Sequence, residues 1–556
     1  MKQNRIYFNL FLIILVGLLI RITAIDKPEG LWNDEYVSWY ISSKPFFSDF
    51  YQAFYKNCHM PFYYIYLKLC TSLFGSSDLI LRLSSVFSGV LGICVMFFVG
   101  KEIKDYKSGL LCAGLTALSG FMIYFSQEVR FYSILFLFSS IALLFTLKLI
   151  EKQSYLNLIG YYFSNFLIII THTIGFIFVF FNFLFLFAYL KKQNQITYKQ
   201  IIVISFATII AMLPFSSFLF KTLTASYISQ FWSDFSITKL FFVFADYISP
   251  IQINLINTPL HISSFLFKNG IFNWGYFIFA IIPLFIVFIG IINSIVKKNI
   301  KVILLLLIGL ATLVVMIIAS LMGKMVLITK YTMEIYPIFI VLTVYGLCVL
   351  KPDFLRKSLL YTLFGIIAIY LLVSDYAPQK LSRPEGHKLV ANLINDAKLN
   401  QNDKILLIYY DADRFNKYIP MDKFFVETIT KYNFQYRLMH NPPSHIQVIK
   451  NGKDMFLQTF QQGNNEFFNF YLKNMFFNKM KKGDKFALIS INSVAFINEY
   501  RMQTVVSDKT FYKRMPFLFL IFSHVVNNTK KEANIYLTPV FEEKQGKWEI
   551  FVWEKQ

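Results

Sequence analysis

Two adjacent carboxylates, Asp34 and Glu35, stand in residues 30–40 (GLWNDEYVSWY), just past the first long apolar run. A carboxylate near a membrane surface can take a proton from an acceptor hydroxyl or hold a divalent cation. Neighbouring residues point about 100° apart on a helix and to opposite faces of a strand. The two are therefore expected to divide the work, one facing the reaction and the other supporting it. Alone, the pair also reads as a solvated acidic turn. A second constellation lies at residues 124–132 (YFSQEVRFY), where Glu128 and Arg130 sit between Gln127 and Tyr132. Glu128 offers a second carboxylate for an acceptor or metal. Arg130 can clamp a phosphate oxygen through paired N–H donors, or anchor an interface together with the tyrosines. A third group, Lys330, Tyr331 and Glu334, opens a later apolar run. Ionisable residues inside a span are functional candidates. Lys330 can meet a lipid phosphate, with Glu334 pairing to it at i+4, or simply snorkel. His59 and His172 read as satisfied interfacial histidines or as support for such a site. No P-loop, GxGxxG, GxSxG or HExxH pattern is present, so nucleotide-driven and metalloprotease chemistry gain no support.

These residues need a scaffold, and the composition says which kind. The 556 residues are 56% hydrophobic and 19% aromatic. Repeated apolar runs of about 20 residues indicate a polytopic helical membrane protein. They lack the dyad pattern of a closed barrel. Runs at 6–25, 79–100, 110–127, 134–150, 156–170, 174–190, 201–220, 272–295, 302–322, 331–350 and 359–374 give about eleven spans. Arg21, near the far end of the first, is expected to snorkel to the interface. Residues 221–269, which include Trp232, Asp234, Asp246 and Tyr247, are expected to hold interfacial helices.

The basic clusters at Lys101–Lys107, Lys148–Lys152, Lys191–Lys199, Lys297–Lys301 and Lys351–Lys357 all fall on the side of the N-terminus. That side is expected to be cytoplasmic. The opposite side receives residues 30–40, Glu128, Arg130, His172, residues 221–269 and 324–330, and the whole C-terminal tail. The net charge of +22 is then explained by loops that meet anionic membrane lipid, with no nucleic-acid partner.

Near residue 375 the chain turns polar. Short β-like runs appear at 404–410, 485–491, 533–537 and 548–554, with a helix at 387–399 and a closing hairpin in KQGKWEIFVWE. The expected division is a membrane domain, 1–374, and a C-terminal extracytoplasmic α/β domain, 375–556. Two roles stay open for the latter, selecting the acceptor or covering the site.

In this order, the pieces resemble polytopic glycosyltransferases of the GT-C fold, above all bacterial members related to protein O-mannosyltransferases and to aminoarabinose transferases of lipid A. LWNDEYVSWY follows the first span. HMPFYYIYLKL and RLSS resemble the family's His-Pro-Pro-Leu-Tyr-Tyr and Arg-Leu-Pro-Ser elements. YFSQEVRFY resembles Tyr-Ser-Gln-Glu-Ala-Arg-Met-Tyr, THTIG resembles Thr-His-Tyr-x-Gly, and TKYTMEIYP resembles Arg-Tyr-x-x-x-x-x-Pro. RPEGHKLVANLINDAKL resembles the opening of an extracytoplasmic domain often attached to these enzymes. Met60 and Ser84 stand where the family has prolines. Lys330 stands where it usually has arginine, which removes bidentate phosphate binding there.

The resemblance implies a polyprenyl-phosphate-linked sugar as donor, a hydroxyl acceptor on a lipid, glycan or protein, and a bacterial inner-membrane location. It implies Asp34 as catalytic base, with Glu35 and Glu128 beside it, and Arg130, Lys330 and Arg82 on the donor phosphate. His59, His172, Tyr132 and Tyr331 are supporting residues. A divalent metal is an open expectation, with Asp34 and Glu128 as its candidate ligands. A ligase for whole lipid-linked glycans, or a transporter or flippase, are the competing readings.

Overall fold

The computed structural model describes residues 3–45, 48–56, 60–194, 213–217, 237–248, 271–322, 326–373, 386–408, 417–418, 425–428, 472–474, 476–491, 526–545 and 548–556. His59, Trp232, Asp234 and most of the span expected at 201–220 lie outside them. Two compact units emerge. One contains residues up to Asp26 and the helices that follow Tyr36. The other contains Lys27–Tyr36 and the C-terminal part of the chain.

The first unit is helical. Its elements are α1 (Gln3–Ile22), α2 (Asn33–Ser43, whose first turn belongs to the second unit), α3 (Ser48–Lys56), α4 (Phe62–Phe74), α5 (Asp78–Ile103), α6 (Tyr106–Leu118), α7 (Gly120–Ser126), α8 (Tyr132–Glu151), α9 (Tyr155–Thr171) and α10 (Gly175–Lys192). After these come α11 (Ile237–Ile248), α12 (Ile271–Val296), α13 (Ile300–Leu321), α14 (Tyr336–Val349) and α15 (Asp353–Val373).

Among the described residues α1, α5, α8, α10 and α13 are long and apolar enough to cross a membrane, and the bent pair α6–α7 meets the same measure when taken as one span. The chain is a multi-pass membrane protein. Burial ranks the helices. α8 is the most enclosed, packed against α5 and α9, whereas α1 turns Phe8, Phe11, Val16 and Leu19 outward, as a lipid-facing helix does. Inside the bundle the Thr146 hydroxyl donates to Asn182 Oδ1 (3.0 Å). Asn182 donates to Asn165 Oδ1 (3.2 Å), and Asn165 to the Tyr161 carbonyl (2.8 Å). This chain of buried amides ties α8, α9 and α10 together where apolar contact alone gives little drive for association.

Two expected spans differ in shape. Residues 110–127 are not one helix: α6 and α7 meet at a 60° bend, and Ser119 caps the new start by accepting from the Met122 N–H (3.2 Å). The span expected from 331 begins at Tyr336 instead. Pro337 sits in its first turn, where its missing N–H costs nothing, and residues 329–332 form a separate 3₁₀ turn.

Arg21 is not at an interface. It is fully buried, and the α6–α7 bend explains why. A helix that stops leaves its last carbonyls without partners. Arg21 supplies donors to Thr116 O (3.0 Å) and Ala117 O (2.8 Å), to Ser126 Oγ (3.1 Å) and to Gly17 O (3.0 Å). In return the Gln127 side-chain amide donates to Arg21 O and Thr23 O, both at 2.9 Å. Gly89 makes room, since a Cβ there would fall onto the Ser126 hydroxyl.

The second unit holds helix α16 (His387–Asp396) and a five-stranded sheet of β1 (Lys404–Ile408), β2 (Phe425–Thr428), β3 (Lys485–Ile491), β4 (Thr538–Gln545) and β5 (Trp548–Glu554), in the order β2-β1-β3-β5-β4. β1 runs parallel to β2 and β3, while β5 is antiparallel to both β3 and β4, forming the expected closing hairpin. Val390, Leu393 and Ile394 of α16 pack on Ile405, Ala487, Ile489, Ile550 and Val552. The strand expected at 533–537 is instead the end of a helix over 526–536. Asn528, Thr529, Glu532 and Ala533 are its buried positions, a helical period rather than an alternation.

Candidate active site

The acidic pair separates into two jobs. α2 begins at Asn33, with Tyr36 N–H bonding Trp32 O (2.8 Å). Glu35 is then the third helical residue, and its Oε2 accepts the Trp32 backbone N–H at 3.2 Å. That is the reaching-back half of a capping box. Glu35 is completely buried, whereas Asp34 is half-buried in the same first turn. Glu35 therefore shapes the helix start, and Asp34 is the carboxylate within reach of solutes. The two side chains diverge as helical neighbours must.

The second cluster lies wholly in the helical unit. The 128–131 turn closes on an Arg130 N–H to Glu128 O bond (2.7 Å), placing Glu128, Arg130 and Tyr132 around the start of α8. All three side chains are buried. The 329–332 turn brings in Lys330, whose Nζ stands 5.9 Å from the Tyr132 ring and 5.5 Å from the Tyr331 ring. The Tyr132 hydroxyl thus lies in the electrostatic field of Lys330, Arg130, Tyr331 and Glu128 together. Among the described residues neither its Oη nor Ser133 Oγ, both buried, has a hydrogen-bond partner. A buried hydroxyl left in this state near two cations, as that of Tyr132 is, is suited to an anion's oxygen.

Other elements hold this arrangement. His172 stacks on Phe131 (ring centroids 4.6 Å) and faces Tyr331 (5.6 Å). Its Nδ1 lies 3.5 Å from Glu334 Oε1. Glu334 thus reaches His172, and the i+4 geometry expected with Lys330 is absent because residues 333–335 form a turn. The 329–332 turn is pinned by α11. Thr329 Oγ1 donates to Asp246 Oδ2 (2.9 Å), and the Tyr247 hydroxyl donates to Thr332 O (2.9 Å). In the sequence Asp246 and Tyr247 stand only as members of the long segment 221–269. A polar pair close to an amphipathic helix's end was the available signal. Arg82 is buried on α5, and its Nη1 donates to Ile25 O at 3.0 Å, fixing the end of the segment that follows α1. Tyr63 on α4 packs edge-on to Phe131 (6.4 Å). Burial pushes its phenol well above the ordinary value, so it stays neutral.

The structure thus brings together Glu128, Arg130, Tyr132, His172, Lys330 and Tyr331 within one unit. Asp34 and Glu35 belong to the other, and His59 is outside the described residues. Among the described residues no three His, Cys, Asp or Glu side chains converge to hold a metal ion.

No protein-family model matches the chain, and no curated protein matches it in sequence. Solved structures do match in shape. ArnT from Cupriavidus metallidurans in the apo state superposes with a TM-score of 0.52 at 10% identity, over 98% of this chain and 97% of that one. The same protein bound to undecaprenyl phosphate gives 0.51 at 11% identity, over the same shares. The apo oligosaccharyltransferase of Archaeoglobus fulgidus gives 0.51 at 13% identity, over 90% of this chain and 71% of that one. At these identities the likeness shows the fold alone, which is mainly α, polytopic and GT-C-like.

Proposed function

We propose that this protein is an integral-membrane glycosyltransferase. It moves a sugar from a polyprenyl-phosphate-linked donor to a hydroxyl acceptor on the outer face of a bacterial inner membrane. The observation that carries this reading is the buried cluster at the start of α8. There Lys330 Nζ stands 5.9 Å from the Tyr132 ring, and the Tyr132 hydroxyl, which feels the charges of Lys330 and Arg130, has no hydrogen-bond partner among the described residues. A buried site with cations and an unpartnered hydroxyl donor favours phosphate oxygens over a neutral ligand. A lipid-linked donor keeps its tail in the bilayer and requires no nucleotide-binding motif, in line with the sequence.

The reaction is a displacement at the anomeric carbon with inversion. The acceptor oxygen bonds to that carbon as its proton passes to Asp34. The bond from the carbon to the phosphate oxygen breaks, and the electron pair leaves with the lipid phosphate. Arg130 and Lys330 stabilise the charge that develops on the departing phosphate, which is where such donors lower the barrier. Arg82 helps by holding the chain after α1, Glu128 orients the acceptor, and Glu35 keeps the α2 start in shape. His172, Tyr331 and Glu334 set the floor on which Lys330 stands. A divalent ion bound by Asp34 or Glu128 would add charge stabilisation at the phosphate; no step above depends on it.

Arg130→Ala is expected to lower kcat/KM for the lipid donor by about 10²-fold or more, with the acceptor KM little changed. An effect confined to the acceptor would reverse the role given to Arg130. Mass spectrometry of envelope lipids, glycans and proteins from a deletion strain tests the function itself. One product should lose the mass of a single sugar. Loss of an entire oligosaccharide would favour a ligase for lipid-linked glycans, and an unchanged envelope would sink the proposal.

A further inference from the structure

We infer that the C-terminal unit is a positioning device for the Asp34 segment, gripping it at the Leu31 peptide through His387 and Tyr418. This rests on the reading of Asp34 as the reacting carboxylate.

Residues 27–32 have no regular structure, yet Leu31 is fully buried. Buried backbone groups outside helices and strands need partners, and Leu31 obtains both of its own from side chains far along the chain. Its N–H donates to the Tyr418 hydroxyl at 2.6 Å. Its carbonyl meets His387 Nδ1 at 2.9 Å, across 356 residues of sequence. A carbonyl only accepts, so His387 carries its proton on Nδ1. His387 is itself fully buried, and its ring faces Tyr36 edge-on at 6.3 Å.

A third bond runs from the Lys388 N–H to Glu29 O (3.1 Å). Between these anchors Gly30 adopts φ +81°, and a Cβ there would collide with the Tyr418 hydroxyl and Lys388 Cβ at 2.5 and 2.7 Å. The approach is close enough that only glycine fits. Asp34 follows Gly30 by four residues, in the first turn of a helix whose start Glu35 caps. The position of that carboxylate is therefore set by α16 and Tyr418. His387 and Tyr418 touch neither donor nor acceptor in this account. They act through the Leu31 peptide.

The test uses the full-length protein with four variants, His387→Ala, His387→Asn, His387→Gln and Tyr418→Phe, alongside Asp34→Asn. An asparagine amide can occupy the place of Nδ1–H, whereas a glutamine amide mimics Nε2. His387→Ala, His387→Gln and Tyr418→Phe should lower kcat by about 10²-fold, the scale of an ångström's misplacement, with the donor KM held. His387→Asn should recover most of that loss. Hydrogen exchange at residues 27–36 should quicken in the three defective variants and not in His387→Asn. Equal activity of the asparagine and glutamine variants would overturn the role of Nδ1. Unchanged exchange would overturn the grip. Faster exchange with wild-type kcat would overturn its link to catalysis. Wild-type turnover by Asp34→Asn would overturn the catalytic reading while leaving the exchange result standing on its own.

Discussion

Asp34→Asn is expected to lower sugar transfer by about 10²- to 10⁴-fold, the range attributed to a positioned general base. The substitution keeps size and hydrogen-bonding shape and removes the proton acceptor. Nothing in the packing should change, because Asp34 is half-buried and the helix start is held by its neighbour. That neighbour supplies the control. In Glu35→Gln the amide oxygen can still accept the Trp32 N–H, and glutamine serves in a capping box as glutamate does. Its loss should stay below tenfold, whereas a catalytic carboxylate would lose as much as Asp34. Rates of single-sugar transfer at matched amounts of protein decide between the two. A larger loss in Glu35→Gln than in Asp34→Asn would exchange their roles.

Arg21→Leu is expected to destabilise the helical unit by about 1–3 kcal/mol for each buried acceptor left without its donor. The side chain disappears from four acceptors at once. The Thr116 and Ala117 carbonyls, released by the α6–α7 bend, would then have lost the donors that Arg21 gives them. Arg21→Lys should recover little, because a single ammonium cannot reproduce a planar fork spanning Thr116, Ala117 and Ser126. The apparent unfolding temperature in a fixed detergent reads this directly. A leucine variant as stable as wild type would mean that water or backbone adjustment satisfies the bend, and that Arg21 is not its pin.

Much of the fold was legible because hydropathy carries it. The runs at 79–100 and 134–150 became α5 and α8 almost as read, and the strand at 485–491 matched in full. What escaped was structure without a hydropathic signature. The α6–α7 bend lies inside a continuous apolar run, and its only local mark is Ser119 before Gly120. Arg21 was assigned to the interface because a lone arginine near a helix end usually snorkels. Only the freed carbonyls of another helix explain its burial.

The same limit applied at the site. Glu128, Arg130 and Tyr132 are near neighbours in sequence, and one turn and the start of α8 hold them together. Lys330 and His172 could be assigned to the same face from the loop charges, yet the pairing of His172 with Glu334 depends on a turn where a helix was expected. The grip of His387 and Tyr418 on Leu31 was out of reach for the same reason. No local pattern reports a contact across hundreds of residues.

The most direct measurement is release of free polyprenyl phosphate by purified, full-length protein given a polyprenyl-phosphate-linked sugar and envelope acceptors. The account predicts one lipid phosphate released for each sugar gained by an acceptor, with inverted anomeric configuration, and almost none from Asp34→Asn. Transfer without release of lipid phosphate, or equal release by Asp34→Asn, would contradict it.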